Sequence, residues 1–244
     1  MDFLRRADFL RGYTCDRCGR EVFCYPAQRL CERCENELEE NGPRVCPKCG
    51  RQTVANGVCL NCKSHPPSFF VGCSAFVYDG EVAEMINALK EGKRRLAYLL
   101  GEKTAERLLC EHSELLKTAE WLVVPVPLTE RAREKRGYNQ AEEIARIILS
   151  ELQAAGVKVS PAFDVLQKRR ETTAQKHLEA KSRKENVSGA YHVHQRKVLR
   201  GKNVLLVDDI MTTGATGDEC SRLLAGAGTQ RVLFCTVAAT PEIP

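Results

Sequence analysis

The stretch Val204-Leu205-Leu206-Val207-Asp208-Asp209-Ile210-Met211-Thr212-Thr213-Gly214-Ala215-Thr216 decides how this chain is read. Its first four residues are apolar and suit a strand buried on both faces. Asp208 and Asp209 follow at the strand's carboxyl end. Two carboxylates there can accept hydrogen bonds from neighbouring hydroxyls of a sugar, directly or beside a magnesium ion. Thr212 to Thr216 then form a hydroxyl-rich turn that opens a helix. Backbone N–H groups in such a turn converge on one point, the helix N-terminus adds positive partial charge, and three threonine hydroxyls supply further donors, which together suit a phosphate. Gly214 permits close backbone approach or a positive φ. An isolated Asp-Asp-Thr would read as an ordinary N-capped helix, but the thirteen-residue run is too specific for that.

The surrounding chain alternates strands and helices. Phe69 to Tyr78 is apolar and β-rich, Glu81 to Glu91 and Arg95 to Cys110 carry helix-period apolar residues, and Trp121 to Val126 reads as a short buried strand. Tyr138 to Leu152 is helical, with Ile144, Ile147, Ile148 and Leu152 on one face. A helix from about Thr216 to Ala225 and a strand at Arg231 to Val237 follow the quoted turn. Strands separated by helices predict an α/β fold with a mainly parallel sheet.

Of 244 residues, 43% are hydrophobic and 28% charged, enough for one ordinary domain plus a small one. No run approaches the roughly 18 apolar residues of a membrane span. Arg5, Arg6 and Asp8 interrupt the first ten residues, so a signal peptide and export are not expected. The net charge of +5 conceals an uneven distribution: Thr129 to Lys202 holds 17 Lys/Arg against 9 Asp/Glu. That middle region is the candidate anion-binding surface.

Nine of the 13 cysteines fall within the first 62 residues, eight of them as four Cys-x-x-Cys pairs. Cys15-x-x-Cys18 precedes Cys31-x-x-Cys34, and Cys46-x-x-Cys49 precedes Cys59-x-x-Cys62. Each quartet can close a tetrahedron around a structural zinc ion with no open position, in a reducing compartment such as the cytoplasm. Spacing leaves the pairing open, because the first pair could close with the third in an interleaved ribbon. Residues 1–65 have little apolar core of their own, so two zinc ions would supply their folding free energy, and replacing Cys46 is expected to unfold this segment more than the rest. Ser64-His65-Pro66-Pro67 marks the predicted boundary between a 1–65 double zinc ribbon and a 66–244 domain.

Val204 to Thr216 closely resembles the phosphoribosyl-pyrophosphate (PRPP) signature of type I phosphoribosyltransferases. With the cysteine-rich ribbon, the chain resembles the ComF family (ComFC and GntX-like proteins). Two further stretches carry the likeness. Pro125-Val126-Pro127-Leu128 with Arg131, Arg133 and Arg136-Gly137-Tyr138-Asn139-Gln140 resembles the family's pyrophosphate-loop region. Lys168-x-Arg170-x-Thr172-x-x-Gln175-x-x-Leu178 with Arg183, Asn186 and Gly189-Ala190-Tyr191 resembles the hood that closes over PRPP. Tyr78-Asp79-Gly80 and Ile86 to Lys90 resemble its first helix. Lys168 and Tyr191 stand where Arg and Phe are more usual.

The resemblance implies that Asp208 and Asp209 address the ribose hydroxyls, as the catalytic pair if the chain is an enzyme. Thr212, Thr213, Gly214, Ala215 and Thr216 would wrap the 5-phosphate, Arg136, Arg170 and Arg183 would contribute cations, and magnesium would accompany PRPP. It also implies natural transformation, in which cytoplasmic proteins receive single-stranded DNA and meet a helicase partner, with no membrane role. Two function classes follow. One is phosphoribosyl transfer to an unidentified acceptor, as in a metabolic enzyme without a DNA role. The other is a DNA-processing accessory that binds PRPP and grips single strands. Counting eight thiolates and two zinc ions, residues 1–65 carry formally about −2, so the middle basic region is expected to bear at least as much of any DNA affinity.

Overall fold

The computed structural model describes residues 14–23, 26, 28–170 and 187–242. The amino-terminal segment is built from two cysteine knuckles with one hydrogen-bond pattern. In the first, Cys15 N donates to Arg20 O and Gly19 N to Cys15 O; in the second, Cys46 N donates to Arg51 O and Gly50 N to Cys46 O, at 2.7–2.9 Å. Each knuckle is answered by a short helix that starts directly after a cysteine. Helix α1 (Glu32–Asn36) follows Cys31, and α2 (Leu60–Ser64) follows Cys59, whose sulfur accepts from the Cys62 N–H.

The remainder runs β1 (Val71–Val77), α3 (Gly80–Lys90), α4 (Leu96–Lys117), β2 (Trp121–Pro125), α5 (Glu130–Arg136), α6 (Gln140–Ala154), β3 (Val159–Pro161), β4 (Leu166–Lys168), β5 (Tyr191–Val193), α7 (Arg196–Leu199), β6 (Asn203–Met211), α8 (Ala215–Gly226) and β7 (Arg231–Ala239). Five strands form a parallel sheet in the order β1-β7-β6-β2-β3, while β4 and β5 pair as a separate antiparallel ribbon. The expected α/β class and parallel sheet are therefore observed, with the sequence-read strands at their places. β3 and β4 were not anticipated as strands, since three residues are too few to show a period, whereas β5 falls where His192 and His194 alternate.

From β2 the chain proceeds outward to β3, and from β6 it proceeds to β7 on the opposite side. The crevice between the carboxyl ends of β2 and β6 is thus the topological switch point, the usual ligand position in open α/β sheets. The quoted stretch ends there.

Each face of the sheet carries its own core, one including three cysteines of the first quartet and the other all four of the second. Cys15, Cys31 and Cys34 pack with Ile86, Leu100, Leu108, Ile144 and Leu205. Cys46, Cys49, Cys59 and Cys62 pack with Phe69, Val124, Leu206 and Phe234 on the other side. The second quartet is therefore part of the α/β core. The segment before β1 also covers the sheet edge: Asn41 N donates to Ala75 O at 2.9 Å and Val77 N to Glu39 O at 3.0 Å, leaving less of β1 open to edge pairing. Trp121, expected as core, is 1% exposed. Among the described residues, no helix is long and apolar enough to cross a membrane.

Candidate functional site

Asp208 and Asp209 are both buried at the end of β6, yet their surroundings differ. Burial, with the adjacent Asp209 charge next in weight, pushes the Asp208 carboxyl well above the usual carboxylate range. Burial also opposes ionisation of Asp209, but the Lys90 ammonium 2.7 Å from its Oδ2 outweighs it and holds this carboxyl below its ordinary value. Gln140, the first residue of α6, donates to Asp209 Oδ2 at 3.4 Å and accepts from Arg136 Nη1.

Lys90 was read only as part of a family-like helix. Its role depends on the end of α3 lying beside β6, some 120 residues away along the chain, and no local pattern signals that. Arg136 reaches the pair only through Gln140, and Arg170 donates to Ser188 O at 2.6 Å. Thr172, Gln175, Leu178, Arg183 and Asn186 lie outside the described residues.

The turn after β6 has the expected form. Gly214 adopts φ +83° as the residue before α8, and Ala215 N donates to Thr213 Oγ1 at 3.4 Å. Among the described residues, no hydrogen bond takes up the backbone N–H groups of Thr213, Gly214 or Thr216. A β-branched side chain strains a positive φ, so Gly214→Val is expected to destabilise the chain by about 1–2 kcal/mol and to weaken anion binding at the turn. Thermal melting and phosphate-ligand titration check this; unchanged binding would remove the turn from the site.

Other sequence-read groups meet across a cleft of about 480 Å³ lined by Thr129, Glu130, Arg131, Gln167, Lys168, Arg169 and His192. Arg131 from the pyrophosphate-loop stretch and Lys168 and Arg169 from the hood stretch thus face one space. Lys168 lies 5.3 Å above the buried Tyr191 ring. Burial, with Cys220 and Asp208 nearby, raises the Tyr191 hydroxyl, which also contacts Thr216. Asn139 caps α6 through Ala141 N and donates to Val126 O at 3.0 Å, tying the loop after β2 to the helix behind it.

The eight paired cysteines form two consecutive quartets, Cys15/Cys18/Cys31/Cys34 and Cys46/Cys49/Cys59/Cys62, which rules out the interleaved pairing. Two contacts, Cys18 to Cys31 at 3.7 Å and Cys49 to Cys59 at 3.8 Å, match the edge of about 3.8 Å that a tetrahedron with Zn–S bonds near 2.3 Å requires. The donor sets thus fit a closed, structural zinc site in each case. A third group, Cys73, Glu111 and His112, gathers at a non-helical residue within α4. There Arg107 pairs with Glu111 at 2.5 Å within α4 and also donates to Asn41 O at 2.9 Å, a hydrogen bond that anchors α4 to the segment before β1.

The sequence model of the phosphoribosyl transferase domain matches residues 133–243, which span α6, the β6 carboxylates and the turn. The chain is 27% identical over 211 residues to competence protein F of Haemophilus influenzae, covering 83% of this chain and 87% of that protein. It is 29% identical over 208 residues to competence protein ComFC of Streptococcus pneumoniae, covering 83% and 84%. It is 28% identical over 211 residues to the DNA utilization protein YhgH of Salmonella typhimurium, covering 83% and 88%. Over most of its length the chain is thus similar to proteins named for competence and DNA utilization.

In this chain Cys15, Cys31 and Cys34 belong to one core of the sheet and Cys46, Cys49, Cys59 and Cys62 to the other. The candidate ligand site lies at the carboxyl end of β6, where Lys90 at the end of α3 meets Asp209 just before the turn into α8.

Proposed function

We propose that this chain binds PRPP with magnesium at the Asp208–Thr216 turn and serves in the cytoplasm as a competence-type, DNA-processing accessory that also contacts single-stranded DNA. The observation that carries the ligand reading is the buried carboxylate pair at the switch point, directly followed by a turn with unclaimed N–H groups. In this reading Asp209, kept ionised by Lys90, and Asp208 accept from the ribose hydroxyls. The N–H groups of Thr213, Gly214 and Thr216 donate to the 5-phosphate, while Arg131, Lys168 and Arg169 face the diphosphate. Magnesium, when bound, supplies charge neutralisation for that diphosphate. Arg136 acts through Gln140, and Arg183 belongs to the hood. The ribbon, residues 1–65 with two structural zinc ions, joins the phosphoribosyltransferase-like part, 66–244, through shared cores.

The accessory role comes from the relatives named for competence and DNA utilization, with a ComF-type helicase as the protein partner. A metabolic phosphoribosyltransferase without a DNA role is the competing reading. Turnover of PRPP with a panel of bases and amines, with and without single-stranded DNA, separates the two. Base-dependent turnover indifferent to DNA would favour the metabolic enzyme.

Exposed Arg131, Arg133, Lys135, Arg169 and Arg170 form the DNA-contacting surface in this reading. Backbone electrostatics then dominate, because aromatic residues make up only 6% of the chain and stacking platforms are few. Contact with about four phosphates predicts a loss on the order of fifty-fold in affinity between 50 and 200 mM salt, largely independent of sequence. Fluorescence anisotropy with labelled oligonucleotides measures this. Affinity that ignores salt would contradict the electrostatic account.

A further inference from the structure

The phosphate turn is held from behind by the second cysteine module. Arg51 Nη2 donates to Thr212 O at 2.7 Å, and Asn61 Nδ2 donates to Thr213 O at 3.2 Å. Both donors sit in the cysteine knuckles themselves. Arg51 is two residues beyond Cys49, with its carbonyl accepting from Cys46 N, and Asn61 lies between Cys59 and Cys62. Arg51 is only 7% exposed, so its guanidinium is committed to this contact rather than to solvent.

These contacts have a directional consequence. A trans peptide is planar, and its C=O points opposite to the N–H of the next residue. Fixing the Thr212 carbonyl toward Arg51 therefore aims the Thr213 N–H away from the knuckle, and fixing the Thr213 carbonyl toward Asn61 does the same for the Gly214 N–H. Those are two of the N–H groups that no described residue takes up. A charged donor on the carbonyl also polarises the peptide, which makes its N–H a better donor on the other side.

The module that supplies these donors is docked without slack. A Cβ on Gly50 would lie 2.6 Å from Gly72 O, and one on Gly72 would lie 2.6 Å from Cys49 O, so the knuckle and β1 touch backbone to backbone. Lys48 Nζ donates to Phe69 O at 2.6 Å and to Phe70 O at 2.9 Å, and Leu60 N donates to Glu242 Oε1 at 2.7 Å. Among the described residues, the first module makes no hydrogen bond to the turn. Its polar links run instead to α3 and α4, through Arg17 to Glu81 and Asp16 to Arg95.

We infer that the Cys46/Cys49/Cys59/Cys62 module is a positioning device for the ligand site: Arg51 and Asn61 orient the Thr213 and Gly214 N–H groups toward a bound phosphoryl group. The inference rests on the phosphate reading of the turn and adds to it a dependence on the second module that the first lacks.

The test uses the full chain and two probes, PRPP with magnesium and ribose 5-phosphate, titrated calorimetrically, with elemental analysis of each protein. Arg51→Met keeps the buried volume but removes the donor. It is expected to lower affinity for both probes by the same factor, about tenfold, as for one charge-assisted hydrogen bond, with zinc content unchanged. Asn61→Ala is expected to cost about threefold. Arg51→Lys, which keeps a charged donor, is expected to recover most of the loss, a rescue that a purely packing role would not produce. If Arg51→Met loses metal, Asn61→Ala with metal retained decides the matter. Unchanged affinity in the metal-replete variants, beside a wild type that binds, overturns the positioning role alone. A wild type that binds neither probe overturns the ligand reading, and this inference with it.

Discussion

Asp208→Ala combined with Asp209→Ala is expected to lower affinity for PRPP with magnesium at least about tenfold, because each lost charge-assisted hydrogen bond costs on the order of 1.5–3 kcal/mol. The fold should survive, since the turn, Gly214 and α8 remain. Calorimetry giving equal affinity for wild type and the double variant would refute the site assignment. Loss of PRPP binding with single-stranded DNA binding untouched would separate the pocket from the DNA role.

The same pair carries a stability signature. Burial and Asp209 raise the Asp208 carboxyl, so the folded chain retains this proton at a pH where the unfolded chain has released it. Stability associated with the group is then lost as pH rises above the ordinary carboxylate value. Asp208→Asn removes that loss while keeping an acceptor for the Asp209 N–H, which now donates to Asp208 Oδ1 at 2.9 Å. Its melting temperature is expected to exceed that of wild type at pH 8, by about 2–4 °C for each kcal/mol recovered, and to converge on it near pH 4. A lower melting temperature at pH 8 would mean that the ionised carboxyl stabilises the fold.

The other large effect concerns metal. Two zinc ions per chain are expected by elemental analysis, and Cys46→Ser should reduce the count to one. Apparent binding free energies of about 10–16 kcal/mol for structural zinc rival the 5–15 kcal/mol of a whole domain. The loss should therefore reach beyond the knuckle, because Cys46 shares a core with Val124, Leu206 and Phe234. Hydrogen exchange should report deprotection of β1 and of the turn after β6 as well as of residues 44–53. A metal content near zero under reducing, chelator-free conditions would refute the zinc assignment, and deprotection confined to the knuckle would refute the coupling to the sheet.

Much of this architecture is legible without coordinates because its signals are local. Four apolar residues, two carboxylates and a threonine-rich turn specify a buried strand, its end and a helix start within thirteen positions. Cys-x-x-Cys likewise specifies a metal-ligand knuckle within four. The helices read between residues 81 and 152 rest on a 3.6-residue period repeated over two or more turns; where an element is too short to show a period, as in β3 and β4, the sequence is silent.

What the sequence alone determined was thus the parallel α/β class, the carboxylate pair and the hydroxyl-rich turn after it, and the presence of eight cysteines in Cys-x-x-Cys pairs. Tertiary structure alone decided that the quartets close consecutively, that Lys90 sets Asp209 apart from Asp208, and that Arg51 and Asn61 brace the turn. The reason is physical: each of these depends on contacts between groups separated by about 10 to 160 positions. Such contacts arise only when the crossovers bring α3, the second knuckle pair and the end of β6 to one end of the sheet.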